Sequence, residues 1–296
     1  MAVGTRPLVP SRLAPAKRVD GHLAGLGHGI RPAPRSVFGG YIALTKPRII
    51  ELLLITTLPA MVMAEQGWPP IRLIVATLIG GTLAAGGANA INMYIDRDID
   101  GLMERTANRP LVTGLIAPRN ALIFAFSLEV VAFAVLWIFT NLLAAVLAVS
   151  ATAFYVVVYT IWLKRTSTQN IVIGGAAGAV PVLVGWAAVR DSLAWSPVVL
   201  FALIFFWTPP RQAVTRMVAY TVVLVACSLV LIPVGHLGAT YIVSAAVLGA
   251  AFLAGVVDLG RNPTTARSMR VFGFSISYVT LLFVALTVDV LVRFGW

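Results

Sequence analysis

Charge is what this sequence has least of. Of its 296 residues 11% are charged, against about 25% in an ordinary soluble domain. Eleven are acidic and 22 basic. A soluble chain of this length has too little interior to hide a 59% hydrophobic composition, so an ordinary soluble fold is excluded. The lone Cys227 excludes a disulfide scaffold, and glycine scattered without a three-residue period excludes a collagen-like chain. With a mean hydropathy of +0.92, a polytopic helical membrane protein remains.

Apolar runs recur at spanning length, each bounded by charge, proline or glycine. The runs predict helices over Ile49–Ala64, Leu73–Ile95, Asn120–Phe139, Leu142–Leu163 and Ile171–Val189, followed by Ser196–Pro210, Met217–Val234, Thr240–Val257 and Val271–Val292. The reading is therefore an all-α bundle of about nine transmembrane helices. The sixth run is short and ends in Trp207-Thr208-Pro209-Pro210, where paired prolines stop or kink a helix. Continuous rather than alternating hydrophobicity argues against a β-barrel.

Assigning basic residues to loops places 19 of the 22 on one side of the membrane. Positive-inside bias then predicts a cytoplasmic N-terminus, in the cell (inner) membrane rather than a mitochondrial one. Charge spread over five loops is poorly suited to nucleic acid. Residues 1–40, with five prolines, six bases and one acid, read as a disordered basic arm near anionic headgroups. Residues 41–296 form the transmembrane domain.

Four of the eleven acids fall within nine residues, Asp96, Asp98, Asp100 and Glu104. Asn92, Asp96 and Asp100 are spaced i, i+4, i+8, so a helix puts them on one face. Asp98 lies roughly 160° away from that face. Hard oxygen donors from one or two carboxylates, completed by water and phosphate, suit Mg²⁺. Arg105, Arg109, Lys164 and Arg165 lie on the same membrane side, and acids beside guanidinium forks suit a metal-bound diphosphate. A solvated acidic loop is the competing reading.

Other features are less specific. The loop from Tyr159 to Asn170 is rich in donors suited to anions, but two positive-inside charges and a helix cap would look the same. Gly174, Gly175, Gly178 and Gly185, and likewise Gly80, Gly81, Gly86 and Gly87, read as close helix packing ahead of a cofactor surface. Glu129 sits mid-span, and an intramembrane carboxylate is a functional candidate with no partner evident in sequence. His22, His28 and His236 supply no haem axial pair. Cys227 reads as inert packing.

Several segments carry a resemblance. They are Leu44-Thr45-Lys46-Pro47-Arg48, the Asn92/Asp96/Asp100 series followed by Arg105-Thr106 and Arg109-Pro110, Tyr159-Thr160 through Lys164-Arg165, Gln169-Asn170 through Gly178, and Trp207-Thr208-Pro209-Pro210. Over residues 41 to about 210 the chain resembles the membrane-embedded aromatic prenyltransferases, and most closely the branch that farnesylates protohaem IX. The resemblance implies a helical bundle with a lipid-accessible cavity for farnesyl diphosphate, held through Mg²⁺ by two aspartate-rich motifs. By it, Asn92, Asp96 and Asp100 are metal-site residues, and Asp96, Asp100, Arg105 and Lys164 are catalytic. Asn92, Arg109, Arg165 and Asn170 would bind diphosphate. The acceptor would be haem B, the product haem O, and haem A synthase a partner in the bilayer.

At one place the chain departs from that pattern. After Pro210 the family continues its sixth helix into a loop with a second aspartate-rich motif, whereas here Arg211 leads at once to the next span. No acid occurs between Asp191 and Asp258. Three readings stay open: an active enzyme with a lone metal and water, an inactive or regulatory homologue, and an internal stretch lost by deletion or from the gene model. Impaired activity is the expectation. A quinone-type polyprenyltransferase and a non-catalytic haem- or isoprenoid-binding assembly protein are the alternatives in function.

Overall fold

The computed structural model describes residues 36–167, 169–207 and 214–295. The basic arm over residues 1–35, the prolines after Trp207, and Arg211 lie outside the described residues. The fold opens with α1 (Val37–Thr45), α2 (Pro47–Glu65), α3 (Ile71–Ile95) and the short α4 (Arg97–Asp100). Then follow α5 (Pro118–Phe139), α6 (Leu142–Ala153), a π-helix (Phe154–Leu163) and α7 (Lys164–Thr166). The chain continues through α8 (Asn170–Arg190), α9 (Trp195–Phe206), α10 (Val214–Gly235), α11 (Ala239–Arg261) and α12 (Thr265–Phe294). Helix α1 therefore already covers residues 37–40, which the sequence reading gave to the arm. The Ser36 hydroxyl explains that start by accepting from the Gly39 N–H at 3.1 Å.

The protein is an all-helical, multi-pass membrane protein. Among the described residues seven helices are long and apolar enough to cross a membrane. The apolar stretch Ile55–Glu65 of α2 and the shorter apolar helix Trp195–Phe206 occupy the positions of the first and sixth runs. Nine apolar segments thus stand in the expected order. The twelve residues of α9 reach only about 18 Å, against about 30 Å of hydrocarbon. Outward-facing side chains are apolar, among them Phe126, Val130, Trp137 and Ile138 on α5, as a lipid-facing surface requires.

Three apolar clusters form the interior. One gathers α2 and α8–α12 around Tyr241, Tyr278 and Phe283. A second joins α3, α5, α6 and α8 through alanines and Leu136, and a third seats α1 against α3 and α5 through Leu44, Met93 and Ala125. Polar groups fasten the helix ends, where orphan backbone groups need partners. The Arg190 guanidinium donates to the Ala64 carbonyl at the end of α2 at 2.6 Å. Asn141 caps α6 by accepting from the Ala144 N–H and donates to the Ala187 carbonyl at 2.6 Å.

The buried Asp289 of α12 does the same for α11. It accepts from the backbone N–H of Gly238 at 2.6 Å and of Tyr241 at 3.3 Å. Asp289→Ala strands both donors and is expected to lower stability by about 1–3 kcal/mol. Thermal unfolding in detergent would read this as a lower midpoint, and an unchanged midpoint would show that this cap contributes nothing.

Candidate functional site

Helix α3 has two faces with different tasks, and its last turns carry the charge. Asp96 caps it, with the Asp96 N–H donating to the Asn92 carbonyl at 3.0 Å, and the Asp100 N–H returns to the Asp96 carbonyl at 2.9 Å. Backbone winding therefore runs almost unbroken from Asn92 to Asp100, and the three polar side chains keep the shared face that the spacing predicts. Asp96 and Asp100 are 0% and 1% exposed.

Cations from three other segments meet them. Lys164, at the end of the π-helix, pairs with Asp96 Oδ2. Arg109, from the loop after α4, pairs with Asp100 Oδ2. That loop is tied down by the Thr106 hydroxyl, which donates to the Asp100 carbonyl at 2.8 Å. Lys46, between α1 and α2, donates to Asn92 Oδ1 at 2.8 Å. Burial pushes the Lys46 ammonium down to about 8, the Arg109 charge adding to the effect and Asp96 opposing it. Sequence reading placed Lys46 in a matching segment but gave it no role. Its left-handed backbone (φ 54°) at the α1–α2 junction turns the chain toward Asn92.

The π-helix supplies one more contact that sequence reasoning missed. Wider winding pairs i with i+5, and such segments gather at functional sites. Here Thr160 donates to the Tyr155 carbonyl at 2.8 Å and accepts from Asn92 Nδ2 at 3.1 Å. Tyr155 and Tyr159 stack with ring centroids 5.2 Å apart, and Tyr159 packs over Gly174 of α8, where a Cβ would come within 2.3 Å of its ring. Asn92 Nδ2 also donates to Asp96 Oδ2 at 2.8 Å. The Asn92 amide is thus engaged at both ends and links Lys46 to Asp96.

The remaining expected residues lie elsewhere. Arg165 grips Asp98 through both terminal nitrogens, at 2.9 and 3.0 Å, on an exposed surface beside α4. That contact holds the Asp98 carboxyl below the usual carboxylate range. The two-residue offset that turns Asp98 off the shared face takes Arg165 with it. Arg105 is exposed and makes no ion pair among the described residues. Asn170 opens α8, half-buried, outside the hydrogen-bonded cluster. Glu129 finds its partner in Thr152, whose hydroxyl donates to Oε1 at 3.2 Å.

Asp96 Oδ1 and Asp100 Oδ1 are buried with no hydrogen-bond partner. Orphaned anionic oxygens are costly, and a hard divalent cation with oxygen ligands answers that need. No group of three or more His, Cys, Asp or Glu makes a ready cage among the described residues. The residues fit a cation whose shell is completed by ligand oxygens. Below the cluster an apolar cavity runs between α2, α3, α6 and α8. Asn89 and Tyr155 line its end nearest the charges, and Thr77 and Val184 its far end.

The family model described as the UbiA prenyltransferase family matches residues 53–220, more than half of the chain. The chain belongs to the UbiA prenyltransferase family. Among its relatives, the protoheme IX farnesyltransferase of Pseudarthrobacter chlorophenolicus is 49% identical, the match covering 84% of this chain and 88% of that protein. The protein of the same name from Streptomyces avermitilis is 46% identical, over 86% of this chain and 94% of its own length. The Pseudarthrobacter match runs over 281 residues yet uses 84% of a 296-residue chain, so about 30 of its positions have no counterpart here.

Solved structures agree on the fold. A digeranylgeranylglyceryl phosphate synthase superposes with a TM-score of 0.71 at 17% identity, covering 86% of this chain and 98% of its own. A UbiA homologue from Archaeoglobus fulgidus, bound to DMAPP and Mg²⁺, gives 0.59 at 16% identity over 85% of this chain and 99% of its own.

Thr160→Val removes the hydroxyl that orients the Asn92 amide while keeping its volume. Binding of inorganic diphosphate with Mg²⁺, followed by calorimetry in detergent, is expected to weaken about five- to tenfold. Thr160→Ser should retain it, and equal affinities for both variants would remove Thr160 from the site.

Proposed function

We propose that this chain is a protohaem IX farnesyltransferase, transferring farnesyl from farnesyl diphosphate to a vinyl group of haem B to make haem O. The observation that carries the proposal is the pair of buried carboxylates Asp96 and Asp100, with unpartnered oxygens, set among Lys46, Lys164 and Arg109 beyond the end of an apolar cavity that Asn89 and Tyr155 line. An anionic headgroup at the charged end and an isoprenoid tail in the cavity match that division. The name shared by relatives near half identity supplies the acceptor.

Asp96 and Asp100, with the Asn92 amide once released from Lys46, would hold Mg²⁺, which when bound neutralises diphosphate charge and helps it leave. Lys164 and Arg109 bind the diphosphate oxygens and stabilise the charge that builds as the allylic C–O bond breaks and its electron pair leaves with the diphosphate. The farnesyl carbocation is attacked by the vinyl double bond. The resulting cation adjacent to the porphyrin takes up water and releases a proton, which gives the hydroxyethylfarnesyl group. Walls of alanine, glycine and valine exclude competing water from the allylic cation. Arg165 acts indirectly, bracing α4 through Asp98, while exposed Arg105 and half-buried Asn170 would reach diphosphate only as it enters. Basic residues massed on one side support a cytoplasmic location for this face and for the N-terminus, in a bacterial cell membrane. Haem A synthase would be the consumer of the product in the same membrane.

The absent acids between Asp191 and Asp258 favour a second reading, a chain that binds isoprenoid diphosphate with little turnover. Expression in membranes lacking haem O synthase, with haems analysed by mass spectrometry, separates the two. Haem O is expected at a reduced level, abolished by Asp96→Asn and by chelation of Mg²⁺. Stable, inserted protein with no haem O would leave the binding role, and full activity of Asp96→Asn would remove Asp96 from the metal site.

A further inference from the structure

Two kinds of glycine stand out on α3 and α8. At Gly80, Gly87, Gly174 and Gly185 an added Cβ would come within 2.3–2.7 Å of a neighbouring helix, so these residues serve close packing as the sequence suggests. At Gly81 and Gly178 an added Cβ would meet nothing within 4 Å. Both line the apolar cavity, one on each wall, and their missing side chains leave space that helix packing does not use. The expectation of close packing fails at these two positions.

The depths of these positions are ordered. Tyr159, next to the Thr160 that bonds Asn92, packs over Gly174, so Asn92 and Gly174 mark one level; from it Gly81 lies about 16 Å along α3 and Gly178 about 6 Å along α8. Thr77 and Val184 lie deeper on the same two helices, about 22 Å and 15 Å from that level. Thr77 is 1% exposed and its hydroxyl has no hydrogen-bond partner, so a buried polar group closes the deep end. Between Asn89 and Thr77 the cavity follows α3 for about 18 Å, room for an extended fifteen-carbon chain whose diphosphate sits at Asp96.

We propose that Gly81 and Gly178 set the length of isoprenoid chain the cavity accepts, by leaving open the space that the distal isoprene units occupy. The inference rests on the reading of the charged cluster as a diphosphate site. A side chain at either position fills cavity instead of striking protein, so it shortens the accepted chain without disturbing the helices. The shallower Gly178 is the stricter block.

The test measures binding of the dimethylallyl, geranyl and farnesyl thiolodiphosphates to detergent-solubilised full-length protein with Mg²⁺. The wild type is expected to favour farnesyl. Gly81→Leu should lose about tenfold or more in farnesyl affinity while keeping geranyl within about threefold. Gly178→Leu should weaken geranyl as well and spare dimethylallyl. Gly81→Ala, whose single methyl enters open space, should unfold at the wild-type temperature and shift the ranking the same way by a smaller factor. An unchanged ranking in these variants, or an equal loss at every chain length, overturns the inference while leaving the diphosphate site standing. A wild type that binds none of the three overturns the diphosphate site itself, and the inference with it.

Discussion

Two carboxylates held out of water at the membrane edge constrain everything around them. Asp96 and Asp100 are almost wholly buried, and a buried charge without a partner costs several kcal/mol. The fold answers by drawing cations from three separate segments to the last turns of one helix and its continuation. Lys46 comes from the α1–α2 junction, Arg109 from the loop after α4 and Lys164 from the end of the π-helix. Each of these segments needs a special backbone or an extra tie to reach. Lys46 takes a left-handed conformation, the Arg109 loop is pinned by Thr106, and the residues before Lys164 widen into a π-helix. The pairing is also incomplete, since one oxygen of each carboxylate stays unpartnered. Such a residue of unsatisfied charge makes sense where a ligand completes the set.

The same helix that ends in these acids provides the cavity wall, and the two roles are separated along its length. From Thr77 to Asn89 the cavity face of α3 includes Gly81, Ala84, Ala85 and Ala88, none large enough to fill the space opposite. The opposite side packs tightly, with Leu136 of α5 over Gly80 and Glu129 over Gly87. Glycine therefore does two opposed things within two residues of one another: Gly80 admits a neighbour and Gly81 withholds one. Glu129 belongs to the packed side. Its bond to Thr152 fastens α5 to α6 immediately behind the cavity wall, where a polar contact between helices has no water to compete with.

The all-helical class, the order of the apolar runs and the polar face at the end of α3 were legible in sequence, because apolar run length and an i, i+4, i+8 spacing are local properties of the chain. Placement of Arg109 and Lys164 followed from their shared membrane side. Arg165 did not, since sequence cannot tell which of two adjacent cations faces inward; Asp98, turned away from the site, captures it. Thr160 and Lys46 were invisible as site residues because each acts through the Asn92 amide across a long sequence separation. The π-helix carries no proline or glycine to announce it. Gly81 and Gly178 could not be told from their packing neighbours, since composition is the same and only the opposing helix differs.

The short sixth helix bears on turnover more than on binding, and charge arithmetic shows why. Lys46, Lys164 and Arg109 outnumber Asp96 and Asp100 by one when all are ionised. With one divalent cation the cluster is strongly positive, which suits a diphosphate anion. A second aspartate pair with its own cation, as the family pattern would have it, is close to neutral as a unit. Its absence therefore changes the net attraction for diphosphate little. What the chain lacks is acidic donors that would hold a second cation, and each interaction strengthened on ionisation lowers the barrier. Within a low-dielectric site such a loss falls on the rate of C–O cleavage, while the anion is still drawn to the basic face. The remaining cations, above all Lys164 beside Asp96, would then carry the burden of leaving-group stabilisation.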